Sequence, residues 1–432
     1  MRMLAGAYVA AGFLLATLIV GCAHGSDIPT GPVDSGASSL HSASSHDGGS
    51  RRRRASTTAG AAGAWPGADY QPFSQRSAFN QAGPFVPDPE SAAIVANIMS
   101  GQGGLNNAAV GVAADGLPAP ALPATPLPTA NPDYGYPYYY ASASAPQYTI
   151  HCINPWGRCP IEGATVRIPT GAMPETGSDG HMAVLDVANN VEYDFFASSV
   201  PNPSSSTLNV GWGGSGPIFD SGTVTATGYG STSANPEPFQ ATHGDVALTL
   251  GTIRPADLAA AGGVIPHALQ IAIPCALGTG VAPLDYVTAD TTCKPAAPPF
   301  LNPAFPPKYG MRLYLDATAV ELSKLGLNKF QLSLWTAMAT YGAIVTDTTG
   351  NSSINFQTED PRTYTTQGGP NPWAAVAAQN GVPAVNAGQG FKYYFNLAPN
   401  ATAAEFIASR LEIAEPGVSP PSTGSQYGPT RL

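Results

Sequence analysis

Charge is what this sequence has least of. Its 432 residues hold 18 Lys plus Arg and 28 Asp plus Glu, 11% in all, where about 25% is usual. Four of the basic residues form one run, Arg51 to Arg54, so the rest of the chain is acidic and the net charge is -10. A basic face for nucleic acid is excluded, and no nucleic-acid partner is expected. Good helix formers give way to 48 Gly and 43 Pro, which argues against a helical bundle, a coiled coil or a helical solenoid. The eight regular helices of a TIM barrel are missing as well. So are GxSxG, HExxH and a Walker loop, and the GxGxxG match at Gly211 to Gly216 opens no helix, which removes the commonest hydrolase, metalloprotease and nucleotide-binding signatures.

What is present begins with an export signal. Arg2 is the one charge before an apolar run from Tyr8 to Val20, centred on Phe13, Leu14, Leu15 and Leu18. That run has the length of a secretory h-region and is too short to span a bilayer comfortably. It ends in Ile19-Val20-Gly21-Cys22, which resembles the lipobox of bacterial lipoproteins. The resemblance implies cleavage between Gly21 and Cys22, a diacylglycerol on the Cys22 thiol and an extracytoplasmic, membrane-anchored product. Two or three acyl chains on one residue suffice for stable anchoring.

Without Cys22, four cysteines remain: Cys152, Cys159, Cys275 and Cys293. An even number in an exported chain predicts two disulfides with three possible connectivities. The sequence-local pairing, Cys152 with Cys159 and Cys275 with Cys293, is expected, because the spacings do not match a CxxC metal site.

Residues 22–64 are rich in Ser, Gly and Ala and form a tether that cannot bury a core. A single mostly β domain is expected over 65–416, with a Pro/Ala-rich insertion around 113–147 and a disordered tail over 417–432. Ser91 is a candidate N-cap for a helix through Met99. His181 to Val187 and Val191 to Phe196 read as a hairpin joined through Ala188-Asn189-Asn190. Strands are expected at Thr165 to Pro169, Thr207 to Trp212, Thr223 to Thr227, Asp245 to Leu250, His267 to Ile273, Met311 to Leu315 and Ala343 to Asp347. Helices are expected from Pro255 and over Lys329 to Tyr341. Gly211 to Gly216 reads as a loop, and Tyr134 to Tyr140 as an extended stretch whose rings are free to stack on sugars. The pattern predicts a β-sandwich or jelly roll with a few short helices.

After the tether, histidine occurs only at His151, His181, His243 and His267. Glu192 and Asp194, two apart on a strand, share a face opposite Val191, Tyr193 and Phe195. They either face water or work as a pair. In the second case His181, Glu192, Asp194, His267 and Tyr341 form a catalytic set, acting as acid and base on a glycosidic bond or as a lyase. Arg312 and Trp212 are the substrate-binding candidates, with Arg167 an alternative to Arg312. A divalent ion on Asp179, His181 and His243 is a third arrangement. The paired HxH spacing of cupins is absent, so no metal ligands are assigned and the cofactor is left unknown.

Ser178 to Met182, Glu192 to Phe195, Ile265 to Leu269 and Tyr341 to Asp347, in this order, resemble a group of secreted bacterial proteins of uncharacterised function. The likeness implies one domain and carries no activity. The expectation is therefore a lipid-anchored envelope protein whose β domain acts on or binds extracellular polysaccharide, as a lyase or glycoside hydrolase if it is an enzyme. The alternative is a structural or adhesion protein without catalysis.

Overall fold

The computed structural model describes residues 73, 77–100, 109–112, 134–218, 241–259, 263–274, 276–281, 283–284, 304–349, 354–386 and 391–417. All of them belong to one compact unit, Thr57–Leu432. Cys22, Cys275, Cys293, the tether, the strand expected at Thr223 to Thr227 and nearly all of the tail lie outside the described residues. No helix among the described residues is long and apolar enough to cross a membrane.

The fold is mainly β with short helices, and three of the sheets among the described residues mix parallel and antiparallel pairs. A five-stranded sheet runs in the order Asn355–Phe356, Leu269–Ile273, Ala343–Thr348, Arg312–Leu315, Leu411–Ile413. Its two central strands pair in parallel. Leu269–Ile273 is buried at every position and Ala343–Thr348 at all but the last, the signature of a strand covered on both faces. A parallel pair needs a long crossover, and this one includes the helix Lys329–Thr340. That helix starts where Asn328 and Gln331 form a reciprocal capping box, which satisfies two end amides. It contributes Phe330, Leu334, Trp335 and Met338 to the main apolar cluster beside Leu313, Ile344 and Phe356.

Two smaller sheets precede it in the chain. One has four strands in the order Tyr138–Tyr140, Met182–Asp186, Val191–Phe196, Trp212–Gly216, and the other three in the order Thr165–Arg167, Gln147–Cys152, Thr207–Val210. Both feed a single buried cluster: Tyr139, Val184 and Phe195 from the first, Tyr148, Ile150 and Leu208 from the second. The expected hairpin is present, with Met182 opposite Phe195 and Asp186 opposite Val191.

Several expectations about local structure are corrected. Asp245 to Leu250 forms turns rather than a strand. Asp245 has φ +52°, and the amides of Leu248 and Thr249 go to the Asp194 and Glu192 carboxylates instead of a ladder. Trp212–Gly216 is a strand rather than a loop, and its Gly213 has a steric cause. A Cβ on Gly213 would lie 2.3 Å from the Asp194 carbonyl oxygen and 2.7 Å from Ile161 Cδ1, closer than any side chain tolerates. The tyrosine stretch is core, not a sugar-stacking loop: Tyr136, Tyr138 and Tyr139 are all buried, and Tyr138–Tyr140 pairs in parallel with Ala183 to Leu185. Within Leu269–Ile273, Gln270 is as buried as its apolar neighbours. Its amide nitrogen donates to the carbonyls of Ala247 and Leu250 and its oxygen accepts from Thr346 Oγ1.

Residues 241–254 strap the four-stranded sheet to the five-stranded one. The strap gives its Leu248 and Thr249 amides to the first. To the second it gives the Gly244 amide, bonded to the Thr346 carbonyl at 2.8 Å, and the Gly251 carbonyl, which accepts from Gln270 N at 2.8 Å.

Candidate functional site

Glu192 and Asp194 share a strand face, as the period of two requires, and that face points inward: both are 0% exposed. The strap supplies their partners. Glu192 accepts from Thr249 N at 3.2 Å and Thr249 Oγ1 at 2.7 Å, and Asp194 from Leu248 N at 2.9 Å. Burial pushes both carboxyls up, and the negative charge of Glu192 pushes Asp194 further. Two neighbouring carboxyls in a dry site disfavour each other's ionised form. The water-facing alternative is thereby excluded.

His181 lies elsewhere, at the start of the same hairpin. Its Nδ1 is 3.0 Å from Glu175 Oε1 and its Nε2 is 2.8 Å from the Ala241 carbonyl oxygen. With an acceptor at each nitrogen, the ring carries two protons. Burial opposes that charge, but Glu175 and Asp179 outweigh it and hold the imidazole up at about 9. Tyr136 packs edge-on at 5.1 Å between ring centroids. His243 takes a different acid, Asp347, at 2.8 Å, so the structure joins His181 and Asp179 to Glu175 rather than to His243.

His267 belongs to a third group. Its Nε2 lies 3.5 Å from Asp257 Oδ2, and Asp257 is held by Arg254 through Nη2 at 2.6 Å and Nε at 3.1 Å. Burial works against the Asp257 charge, yet Arg254, with His267, brings its carboxyl below the usual range. Burial lifts nearby Glu359 to about 8, although Arg254 pulls it down and Tyr364 donates to it at 3.2 Å. Tyr138 connects this group to the first. Its hydroxyl donates to the Leu248 carbonyl, and it feels the charges of Glu359, Arg254 and Glu192.

Tyr341 is the residue that ends the Lys329–Thr340 helix, packed half-buried against the main cluster. Its carbonyl accepts from Arg312 Nη1, while Nη2 of that arginine donates to the Ala78 carbonyl at 2.8 Å and the guanidinium covers the Phe85 ring. Arg312 thus clamps backbone carbonyls. The five residues of the expected catalytic set have separate partners: Glu192 and Asp194 bind the strap, His181 binds Glu175, His267 binds Asp257, and Tyr341 caps a helix.

Trp212, itself buried, backs an exposed aromatic ring. Its ring lies 5.8 Å from that of Trp156, which also meets Phe196 at 5.7 Å. Trp156 is 62% exposed and sits in the loop closed by the Cys152–Cys159 disulfide, the local pairing expected from the sequence. Asn154, Arg158, Cys152 and Cys159 line an open cavity of about 450 Å³ there with His151 and Glu162. Glu162 braces the loop, accepting from Cys152 N at 2.6 Å and contacting His151 Nδ1 at 3.1 Å.

Sequence reasoning missed Trp156, Glu175, Tyr136, Arg254, Asp257 and Glu359. Two had a signal: Trp156 lies inside a short predicted disulfide loop, and Glu175 stands just ahead of Asp179-Gly180-His181. Arg254 and Asp257 are a local pair three residues apart, whereas Tyr136 and Glu359 meet His181 and Arg254 only through the tertiary fold. No protein family, curated protein or solved structure matches this chain.

Proposed function

We propose that this protein is a lipid-anchored binding module of the bacterial cell envelope that takes saccharide on the Trp156–Trp212 face. The observation that carries the reading is Trp156. It is a large aromatic held open to solvent and backed by Trp212 and Phe196, in a loop whose Asn154 and Arg158 line a cavity with His151. An aromatic plane with a polar rim suits the apolar face and hydroxyl edge of a sugar ring. On this reading the four- and three-stranded sheets make a small β-sandwich around their shared cluster, with the disulfide loop as its binding edge. Cys22 supplies the membrane attachment and residues 22–64 the reach.

The acids and histidines expected to catalyse support this reading by where they lie. They are buried and divided among separate partners, and a polysaccharide-cleaving pair must flank a substrate bond. The test is depletion of the protein from solution by insoluble envelope glycans. Trp156→Ala is expected to weaken uptake by roughly tenfold or more, as for an aromatic anchor. Equal uptake by the variant would sink the assignment.

A further inference from the structure

We propose that Glu175, Asp179 and His181 bind a divalent transition-metal ion of the Zn2+ class. One ligand atom from each lies within 4.8 Å of the others, and all three come from one short loop closed on itself by the Glu175 amide donating to the His181 carbonyl at 3.0 Å. Gly180, at φ +52°, makes the turn that separates Asp179 from His181. A Cβ there would meet Ala197 Cα and Ser198 N at 3.3 Å.

The histidine is oriented as a metal ligand is. Its Nε2 hydrogen is committed to the Ala241 carbonyl at 2.8 Å, the outer contact that commonly fixes the tautomer of a ligating imidazole. That leaves Nδ1 facing Glu175 Oε1 at 3.0 Å. Donors bound at about 2.1 Å to a common ion stand roughly 3.0 to 3.4 Å apart, so this spacing suits two ligands as well as a hydrogen bond. Binding would replace the proton between them with the ion.

Two buried polar atoms point to the same place independently. Among the described residues Glu175 Oε2 has no hydrogen-bond partner, and neither has the Tyr136 hydroxyl. Tyr136 is 1% exposed, its ring abuts His181, and its phenol feels the charges of Asp347, Glu175 and Asp179. An ion on Glu175 satisfies the first atom, and a water on that ion gives the second an acceptor. Asp179 is half-buried, so the ion would be reached from the Asp179 side. Two carboxylates with one imidazole match the charge of a divalent ion and favour a first-row transition metal over Mg2+ or Ca2+, which prefer all-oxygen shells.

The test is titration of Zn2+ into the chelator-stripped protein, read by calorimetry and thermal unfolding, beside Asp179→Asn and Glu175→Gln. The tether histidines are common to all three proteins and cancel. The expected result is one Zn2+ per chain beyond what the variants take, a raised midpoint with Zn2+ but not Mg2+, and affinity weakened about tenfold or more in each variant. Zinc X-ray absorption of the wild type should show imidazole with oxygen and no sulfur. Equal binding by wild type and variants, or a sulfur shell, would overturn the site. Neither outcome touches the glycan assignment, which is read at Trp156.

Discussion

The Cys152–Cys159 loop and the strap at 241–254 join neighbouring structure by opposite means. The loop is closed by a covalent bond between residues seven apart, and it holds Trp156 out in water. The strap is held by hydrogen bonds from residues more than 50 positions away, Asp194 and Glu192, and everything it holds is dry. Local covalent closure leaves side chains free to meet a ligand. Buried carboxylates spend their lone pairs on backbone amides, because an unpaired amide in the interior costs about 1–3 kcal/mol. Acids that look catalytic in a one-dimensional reading thus serve here as the acceptors for a segment with no ladder of its own.

The largest effect that would break this comparison lies in the third polar group. Arg254→Met leaves Asp257 and Glu359 buried without their cation. Removing one partner of a buried pair costs about 3–5 kcal/mol, and urea denaturation should show a loss of that order; an unchanged midpoint would remove the ion pair from the account. Next comes Glu192→Ala, which deprives the Thr249 amide and hydroxyl of their acceptor. A loss of about 2–3 kcal/mol is expected, with faster hydrogen exchange at Leu248 and Thr249.

The pH dependence sharpens the contrast. Glu359 rises from 4.5 to about 8 on folding, so the folded chain holds its proton where the unfolded chain has lost it. Its stabilisation is complete below about pH 4.5 and is lost as pH rises toward 8, a change on the order of a few kcal/mol. The Glu192–Asp194 pair acts in the same direction. Asp257, lowered by Arg254, acts oppositely and loses its contribution only as pH falls below its unfolded value of 3.8. The melting temperature should therefore peak in mild acid, and Glu359→Gln should flatten its decline toward pH 8. A melting temperature that climbs from pH 5 to 8 would contradict this. Reducing the Cys152–Cys159 bond should cost less, about 2.5 kcal/mol at most for so short a loop. The smallest effect belongs to Trp156→Ala, within about 0.5 kcal/mol for an exposed side chain, while saccharide uptake falls.

What the sequence reveals and what it hides divides along the same line. The hairpin at Met182 to Phe196 and the helix at Lys329 to Thr340 are legible because their signals are local: a turn between two strand-like runs, and a helical period. The small disulfide is legible for the same reason. Asp245 to Leu250 looks like a strand because its residues favour one, but the acceptors for its amides lie on a distant hairpin. The tyrosines at 138–140 carry no readable period because both faces of their strand are covered. Gly213 reads as loop until the Asp194 carbonyl beneath it is seen. In the candidate site, residue types were readable and partners were not: His181 and Asp179 were singled out, whereas Glu175 and Tyr136 join them only once the 175–181 loop closes.

The central claim is that the buried acids and histidines hold the fold while Trp156 meets the ligand. The most direct measurement follows uptake and reducing-end release together on one glycan panel, for the wild type, Trp156→Ala and His267→Ala. Uptake lost only in Trp156→Ala, with no reducing ends from any of the three, is the predicted result. Reducing ends released by the wild type and abolished in a folded His267→Ala protein would contradict it.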